Sequence, residues 1–340
     1  MSHPTPNHVL VYDVGGSHIS AAVCDRQTYA LRGLSRAPLP AAPETTPGAG
    51  HFSAASFGRL IHTLGESAAH SGSLSLSAIA GADLAMPGPF DYENGISRMR
   101  HKLLGLLGVD LKSGLATRFG WQPSQVRFVN DAAAFLLGEM GAGAAKGSSR
   151  AVGVTLGTGI GCAFGLEEGH GAHILTSGPG IPPGGEIWNL PYNGATVEDF
   201  VSTRFLREHY QTLTGVEAEV SAIADAARGN HPCPELDAES PAPQISPVHP
   251  NDPYAAHCRA REAFRDFGRH LGLALNQHAA AFAPDVIVLG GGISRASHLF
   301  LPATRQALAA GFSPKIVIST LMDEAPLAGA GVHWFTAEAS

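Results

Sequence analysis

The chain has 340 residues, 44% of them hydrophobic, with 22 Lys and Arg against 29 Asp and Glu for a formal net charge of −7. That length suffices for two domains with separate cores, and 41 glycines suit an α/β chain with many turns. An acidic balance without a Lys/Arg cluster excludes the electrostatic footprint of a nucleic-acid binder. No apolar run is long enough to span a membrane, and the opening MSHPTPNH lacks a signal-peptide pattern.

Residues 9–25 read as a β-hairpin whose tip is Asp13-Val14-Gly15-Gly16-Ser17. Residues 36–55, rich in Pro, Ala, Gly and Thr, read as a polar loop. A helix is expected over about 56–69, with Phe57, Leu60, Ile61 and Leu64 on one face. A strand over 79–85 ends at Met86-Pro87-Gly88-Pro89. A helix over 111–119 and a strand over 126–129 follow, and the strand delivers Asn130-Asp131 to the mouth of another helix. The glycine-rich connector 141–149 marks the expected domain boundary, giving a small α/β domain over 8–140, completed by 324–340, and a larger α/β domain over 141–323.

The second domain opens with a strand that breaks on Gly157-Thr158-Gly159-Ile160-Gly161 and resumes at Cys162. This second hairpin has the form of the first, a weak internal duplication. A Pro/Gly-rich loop over 178–192 precedes a helix expected over 197–210. Residues 229–251 read as a surface excursion, and a long helix over 253–282 leads to the strand Val286–Leu289. That strand ends in Gly290-Gly291-Gly292-Ile293-Ser294. A late strand covers 316–318, and 327–334 is expected to return to the first domain. The four cysteines form no CxxC pair; Cys24 and Cys162 sit in strand-like runs as reduced thiols, which points to a reducing cytoplasm.

Each glycine stretch alone is a tight turn as readily as a phosphate cradle. Three in this order, with Asn130-Asp131 between the first two, form nests of backbone N–H groups next to a carboxylate, the parts phosphoryl transfer needs. The Asp-x-Gly-Gly-Ser opening, Val-Asn-Asp-Ala-x-Ala, Leu-Gly-Thr-Gly-Ile-Gly and Val-Leu-Gly-Gly-Gly-Ile-Ser together resemble the ROK family (repressors, open reading frames and kinases). The resemblance covers Val9 to about Val332. It implies a two-domain actin-like ATPase (ribonuclease H-like) sugar kinase fold of α/β class, with an interdomain cleft that closes over substrate.

The activity implied is ATP-dependent phosphorylation of a hexose at the 6-hydroxyl, glucose first, with Mg²⁺ as cofactor. Asp131 is the candidate general base, against the competing role of a helix cap. Asp13 would hold Mg²⁺ directly or through water, against a plain turn acid. Gly15, Gly16, Ser17, Gly157, Thr158 and Gly159 would cradle phosphates, and Gly290, Gly291 and Gly292 would border the adenosine. Asn130, Glu186, Asn189 and Glu198 would read the sugar, although Glu198 could equally be a first-turn acid with Thr196 and Asp199 as a capping pair. No chemistry is attached to His18, where relatives often have Lys.

Relatives read Gly-Glu-Ile-Gly-His where this chain has Gly185-Glu186-Ile187-Trp188-Asn189, and their His and three Cys bind zinc. Those ligands are missing here, so no zinc site is expected. The packing of Trp188 and Tyr192, with the local prolines, would hold the loop instead. Zinc-free relatives keep polyphosphate open as donor, and another hexose or an N-acetylhexosamine open as acceptor. The resemblance further implies a homodimer; the charge and hydropathy lead to no nucleic-acid or membrane partner. A sugar-responsive repressor is the rival of another class; with eight residues ahead of Val9, no DNA-binding domain is expected there.

Overall fold

The continuous apolar run ahead of Gly15 forms β1 (His8–Val14), which turns at Gly15–Ser17 into β2 (His18–Asp25) and then β3 (Leu31–Pro38). The structure, a computed structural model, describes residues 7–39, 52–100, 103–169, 171–228, 233 and 253–337. The chain divides into two units. One comprises Met1–Gly153, Ala163–Ile174 and Ser319–Ser340; the other comprises Val154–Cys162 and Leu175–Ile318. Most of the expected 36–55 loop lies outside the described residues, as does the 229–251 excursion apart from Cys233.

In the first unit, β1 to β3 pair antiparallel, while β4 (Ala82–Met86) and β7 (Val126–Asn130) extend the sheet parallel to β1 in the order β3-β2-β1-β4-β7. A small hairpin, β5 (Phe90–Asp91) with β6 (Ile96–Ser97), lies in the chain between β4 and β7. Helix α1 (Ala54–Ser71) begins where Ser53 accepts the N–H of Ser56, and it buries Phe57, Ile61, Leu64 and Ala68 at helical spacing. These join Leu10, Tyr12, Leu84 and Phe128 in one core. The Tyr12 hydroxyl, inside that core, donates to the Ile61 carbonyl at 3.1 Å. Helix α2 (Leu111–Phe119) is capped by Asp110 and stops at Gly120, in the left-handed conformation.

Helix α3 (Asp131–Gly141) is buried from Ala132 to Met140, which its Ala-rich apolar sequence allows. It packs closely on the last helix of the chain (Ala325–Ala337). A β-carbon at Gly329 would stand 1.7 Å from the Ala134 carbonyl oxygen, and one at Gly138 would stand 2.1 Å from that of Ala325. Glycine at both positions lets two backbones meet, and that fixes the helix that starts with Asp131. Buried Glu139 satisfies itself on Ala144 N–H (2.7 Å), Leu321 N–H (3.2 Å) and the Ser319 hydroxyl.

The second sheet has the order β10-β9-β8-β13-β14, from β8 (Arg150–Leu156), β9 (Ile160–Glu168), β10 (Gly171–Leu175), β13 (Val286–Gly290) and β14 (Lys315–Ile318). The strands β11 (Pro191–Tyr192) and β12 (Ala195–Thr196) form a short antiparallel pair. The single helix expected over 197–210 is two: α4 (Val197–Phe200) and α5 (Thr203–Thr214). The break has a local cause, because the Ser202 side chain accepts the N–H of Phe205 and starts a new helix. Helices α6 (Val220–Ala227), α7 (Pro253–His278), α8 (Ser297–Gln306) and α9 (Ala325–Ala337) complete the chain. Pairing of α7 with α8 again runs through glycine, since a β-carbon at Gly268 would stand 2.2 Å from the Phe300 oxygen.

Cys24 and Cys162 are buried free thiols. Cys233 and Cys258 are disulfide-bonded, a pairing the sequence analysis did not make, since 25 residues separate them and no motif marks them. No helix among the described residues is long and apolar enough to cross a membrane.

Candidate active site

In the first unit, the parallel run of β1, β4 and β7 puts the carboxyl ends of these strands on one sheet edge, where open α/β sheets bind ligands. Register pairs Asp13 with Ala85 and Ala85 with Val129, so Asp13 and the start of Asn130-Asp131 stand two strand spacings apart, roughly 10 Å. The helix cap belongs to Asn130, whose Oδ1 accepts the Ala133 N–H at 3.0 Å. Asp131, the first residue of the helix, accepts the adjacent N–H of Ala132 at its Oδ1, at 2.9 Å.

Asn130 Nδ2 donates to the Tyr92 hydroxyl at 3.0 Å, and that hydroxyl donates to the Met86 carbonyl at 3.2 Å. Tyr92 was not legible as a site residue in the sequence. Its only signal was a tyrosine three residues beyond the Pro87-Gly88-Pro89 turn. With one amide hydrogen given to Tyr92 and its oxygen to the cap, Asn130 keeps one N–H for a ligand.

Burial, with the charge of Asp131 second and that of Asp323 smaller, raises the Asp13 carboxyl to about 7, against a lowering by Arg36. Two carboxylates that resist simultaneous ionisation suit a cation between them and a phosphate chain. Among the described residues, no group of three or more His, Cys, Asp or Glu side chains converges on a ready metal site. Mg²⁺ needs no such cluster, because it keeps waters and takes one or two carboxylates plus substrate phosphates. Asp13 fits that pattern.

At the first turn, the Gly15 N–H closes on the His18 carbonyl at 3.0 Å, which leaves the amides of Gly16 and Ser17 as the exposed donors. The Arg36 guanidinium meets His18 Nε2, and Ser17 Oγ lies 3.1 Å from His18 Nδ1. Arg36 can only donate, so Nε2 accepts, and in the neutral ring Nδ1 carries the proton toward Ser17. Burial and then Arg36 lower the His18 pKa, against Asp323, which favours that neutral ring. The Ser17 hydroxyl hydrogen is then free to point outward.

In the second unit, the Gly157 N–H closes on the Gly159 carbonyl at 3.0 Å. The Gly157 carbonyl accepts both the N–H (2.8 Å) and the hydroxyl (2.9 Å) of Thr203. The turn can therefore offer a ligand the amides of Thr158 and Gly159. Gly291, at φ +80°, packs so closely that a β-carbon would stand 2.4 Å from the Leu156 oxygen, which brings the Gly290–Gly292 turn against the strand end before Gly157.

Glu198 Oε2 accepts the Ile160 N–H at 3.3 Å, so one oxygen is committed to this turn. The Thr196 and Asp199 capping pair also forms, with Asp199 Oδ2 accepting the Thr196 N–H at 2.9 Å. Glu186 Oε2 accepts the Trp188 indole N–H at 2.8 Å. Asn189 is exposed.

Trp188 is 42% exposed, so it carries less of the expected packing than Tyr192 does. Tyr192 instead is buried, edge-on to Phe200 and His270, with its hydroxyl 2.9 Å from His270 Nδ1.

The profile described as the ROK family matches residues 10–336. A glucokinase of Thermotoga maritima is 29% identical over 266 residues, 73% of this chain and 76% of that protein. A ROK family glucokinase from Streptomyces griseus, solved in complex with glucose and AMPPNP, superposes with a TM-score of 0.65 at 19% identity, over 95% of this chain and 98% of its own. A ROK family transcriptional regulator, a homologue of the E. coli MLC protein, reaches 0.71 at 17% identity, over 97% of this chain and 78% of its own. At such identities the superpositions show the shared fold, the actin-like ATPase fold of the family's sugar kinases. Kinase and regulator have it in common.

Proposed function

The chain belongs to the ROK family, and from that premise we propose that it is an ATP-dependent hexose kinase, transferring the γ-phosphoryl group to the 6-hydroxyl of glucose. The observation that carries this reading is that Asn130 takes the cap of α3 while Asp131, the next residue, lies within electrostatic reach of Asp13 at the carboxyl ends of the parallel strands.

Asp131 accepts the proton of the attacking hydroxyl, a role that contributes about 10²–10⁴ in rate. Asp13 holds Mg²⁺, directly or through water, and the chemistry supplied there is neutralisation of phosphate charge. Amides of Gly16, Ser17, Thr158 and Gly159 cradle phosphate oxygens, with Gly15 and Gly157 closing the turns, and Gly290, Gly291 and Gly292 border the adenosine. Glu186, Asn189, Asn130 and the uncommitted oxygen of Glu198 read sugar hydroxyls. The proposal extends to a homodimer, supported by the family resemblance, and to the cytoplasm, supported by the free buried thiols Cys24 and Cys162, with the Cys233–Cys258 disulfide standing against it.

The test is a panel of hexoses and N-acetylhexosamines with ATP or polyphosphate as donor, read by ADP and phosphosugar formation. Glucose with ATP and Mg²⁺ is expected to give the highest kcat/KM. Transfer from polyphosphate alone would change the donor. Sugar binding without any transfer would favour a regulator.

A further inference from the structure

Trp188 is tied to both glutamates assigned to the sugar, to the side chain of one and the backbone of the other. Its indole N–H donates to Glu186 Oε2 at 2.8 Å, and its backbone carbonyl accepts the Glu198 N–H at 3.0 Å. The next turn of chain repeats the tie, since the Leu190 carbonyl accepts the Val197 N–H at 3.1 Å. Between these anchors Ile187 and Val197 are fully buried, so the backbone on either side of the indole is fixed in the core of the unit. Trp188 is partly exposed, at 42%, and its indole N–H is held by Glu186.

A lone exposed aromatic ring is ordinary on a protein surface. One whose N–H is committed to a carboxylate assigned to the sugar is a different object. An indole face offers a negative quadrupole and a large apolar area, and a pyranose ring presents polarised C–H groups on its faces. Glu186 takes hydroxyls at the rim of the same sugar. Resting on the hexose-kinase reading above, we propose that Trp188 is the sugar-positioning residue of this site, stacking on a face of the pyranose while it aims Glu186 and Glu198 at the hydroxyls.

The chain has three tryptophans, and the other two are placed apart from such a role. Trp121 stacks on Phe119 at 4.4 Å, and Trp334 is buried under Arg127. A change of tryptophan emission on adding glucose therefore reports on Trp188. The experiment combines that titration with steady-state kinetics on the full-length protein, its Trp188→Phe and its Trp188→Ala variants. Saturating glucose is expected to shift wild-type emission, and both variants are expected to lose the shift. In Trp188→Ala the glucose KM should rise about ten-fold, the factor one stacked contact amounts to, with the ATP KM unmoved and kcat within a few-fold. Trp188→Phe keeps a ring and loses the N–H, so its KM should fall between the two. It also keeps the inference testable if the Ala variant folds poorly.

A glucose KM within two-fold of wild type in both variants, or wild-type emission unmoved by saturating glucose while turnover proceeds, overturns the role of Trp188 and leaves the kinase reading standing. A wild-type protein that phosphorylates no hexose overturns both.

Discussion

Glu198 Oε2 accepts the backbone N–H of Ile160 at 3.3 Å, and a β-carbon added at Gly159 would stand 2.1 Å from that same oxygen. The carboxylate thus braces the second glycine turn with one oxygen and has the other for a hydroxyl. Glu198→Ala removes both, and a charge-assisted hydrogen bond is worth about 1.5–3 kcal/mol. Both the ATP and the sugar KM should rise, each by about ten-fold or more. A rise in sugar KM alone would detach Glu198 from the turn and return it to the simpler sugar-reading role.

A buried pair sets a pH dependence elsewhere in the first unit. His333 Nδ1 lies 2.7 Å from Asp83 Oδ2, and Asp83 is fully buried. Burial opposes a charged His333, but the charge and hydrogen bond of Asp83 outweigh it, and the pKa is raised. A histidine raised in the folded state adds stability that is fully present below its unfolded pKa of about 6.5 and is lost as pH rises through the folded value. The difference in denaturation midpoint between wild type and His333→Gln should therefore be largest in mild acid and shrink as pH rises above that value. A difference that is flat or grows toward alkaline pH would contradict the pairing.

Tyr192 packs the loop that carries Glu186 and Glu198, through Phe200 and His270. Tyr192→Ala should destabilise by about 3–5 kcal/mol, as large aromatic truncations do, and raise the sugar KM by loosening the segment that carries Glu186 and Glu198. Added Zn²⁺ should restore neither property, and elemental analysis of the wild type should show no stoichiometric zinc. Restoration of stability by zinc would put a metal where the aromatic contact is now assigned.

Sequence periodicity located the strands and helices that carry the site because burial dictates them. The β1–β2 hairpin, α2 and the β7–α3 junction follow directly from apolar spacing and caps. What the sequence could not show was how individual polar atoms are shared. Asn and Asp both cap helices well, so the assignment of the α3 cap to Asn130 needed coordinates. Tyr92 reaches Asn130 across 38 residues, and no local pattern encodes that contact. Trp188 was read as apolar mass, because its indole bond to Glu186 depends on loop geometry rather than on composition. The split at Ser202 was hidden for the opposite reason, since helix-forming residues lie on both sides of it.

The central claim is that Asp131 removes the hexose proton during transfer from ATP, and Asp131→Asn tests it most directly. The variant keeps size and hydrogen bonding at the start of α3, so ATP and glucose binding measured calorimetrically should stay close to wild type. Wild type should convert glucose and ATP to glucose 6-phosphate and ADP in equal amounts, and kcat in the variant should fall by about 10²–10⁴. A variant with normal binding and a kcat within a few-fold of wild type would contradict the account.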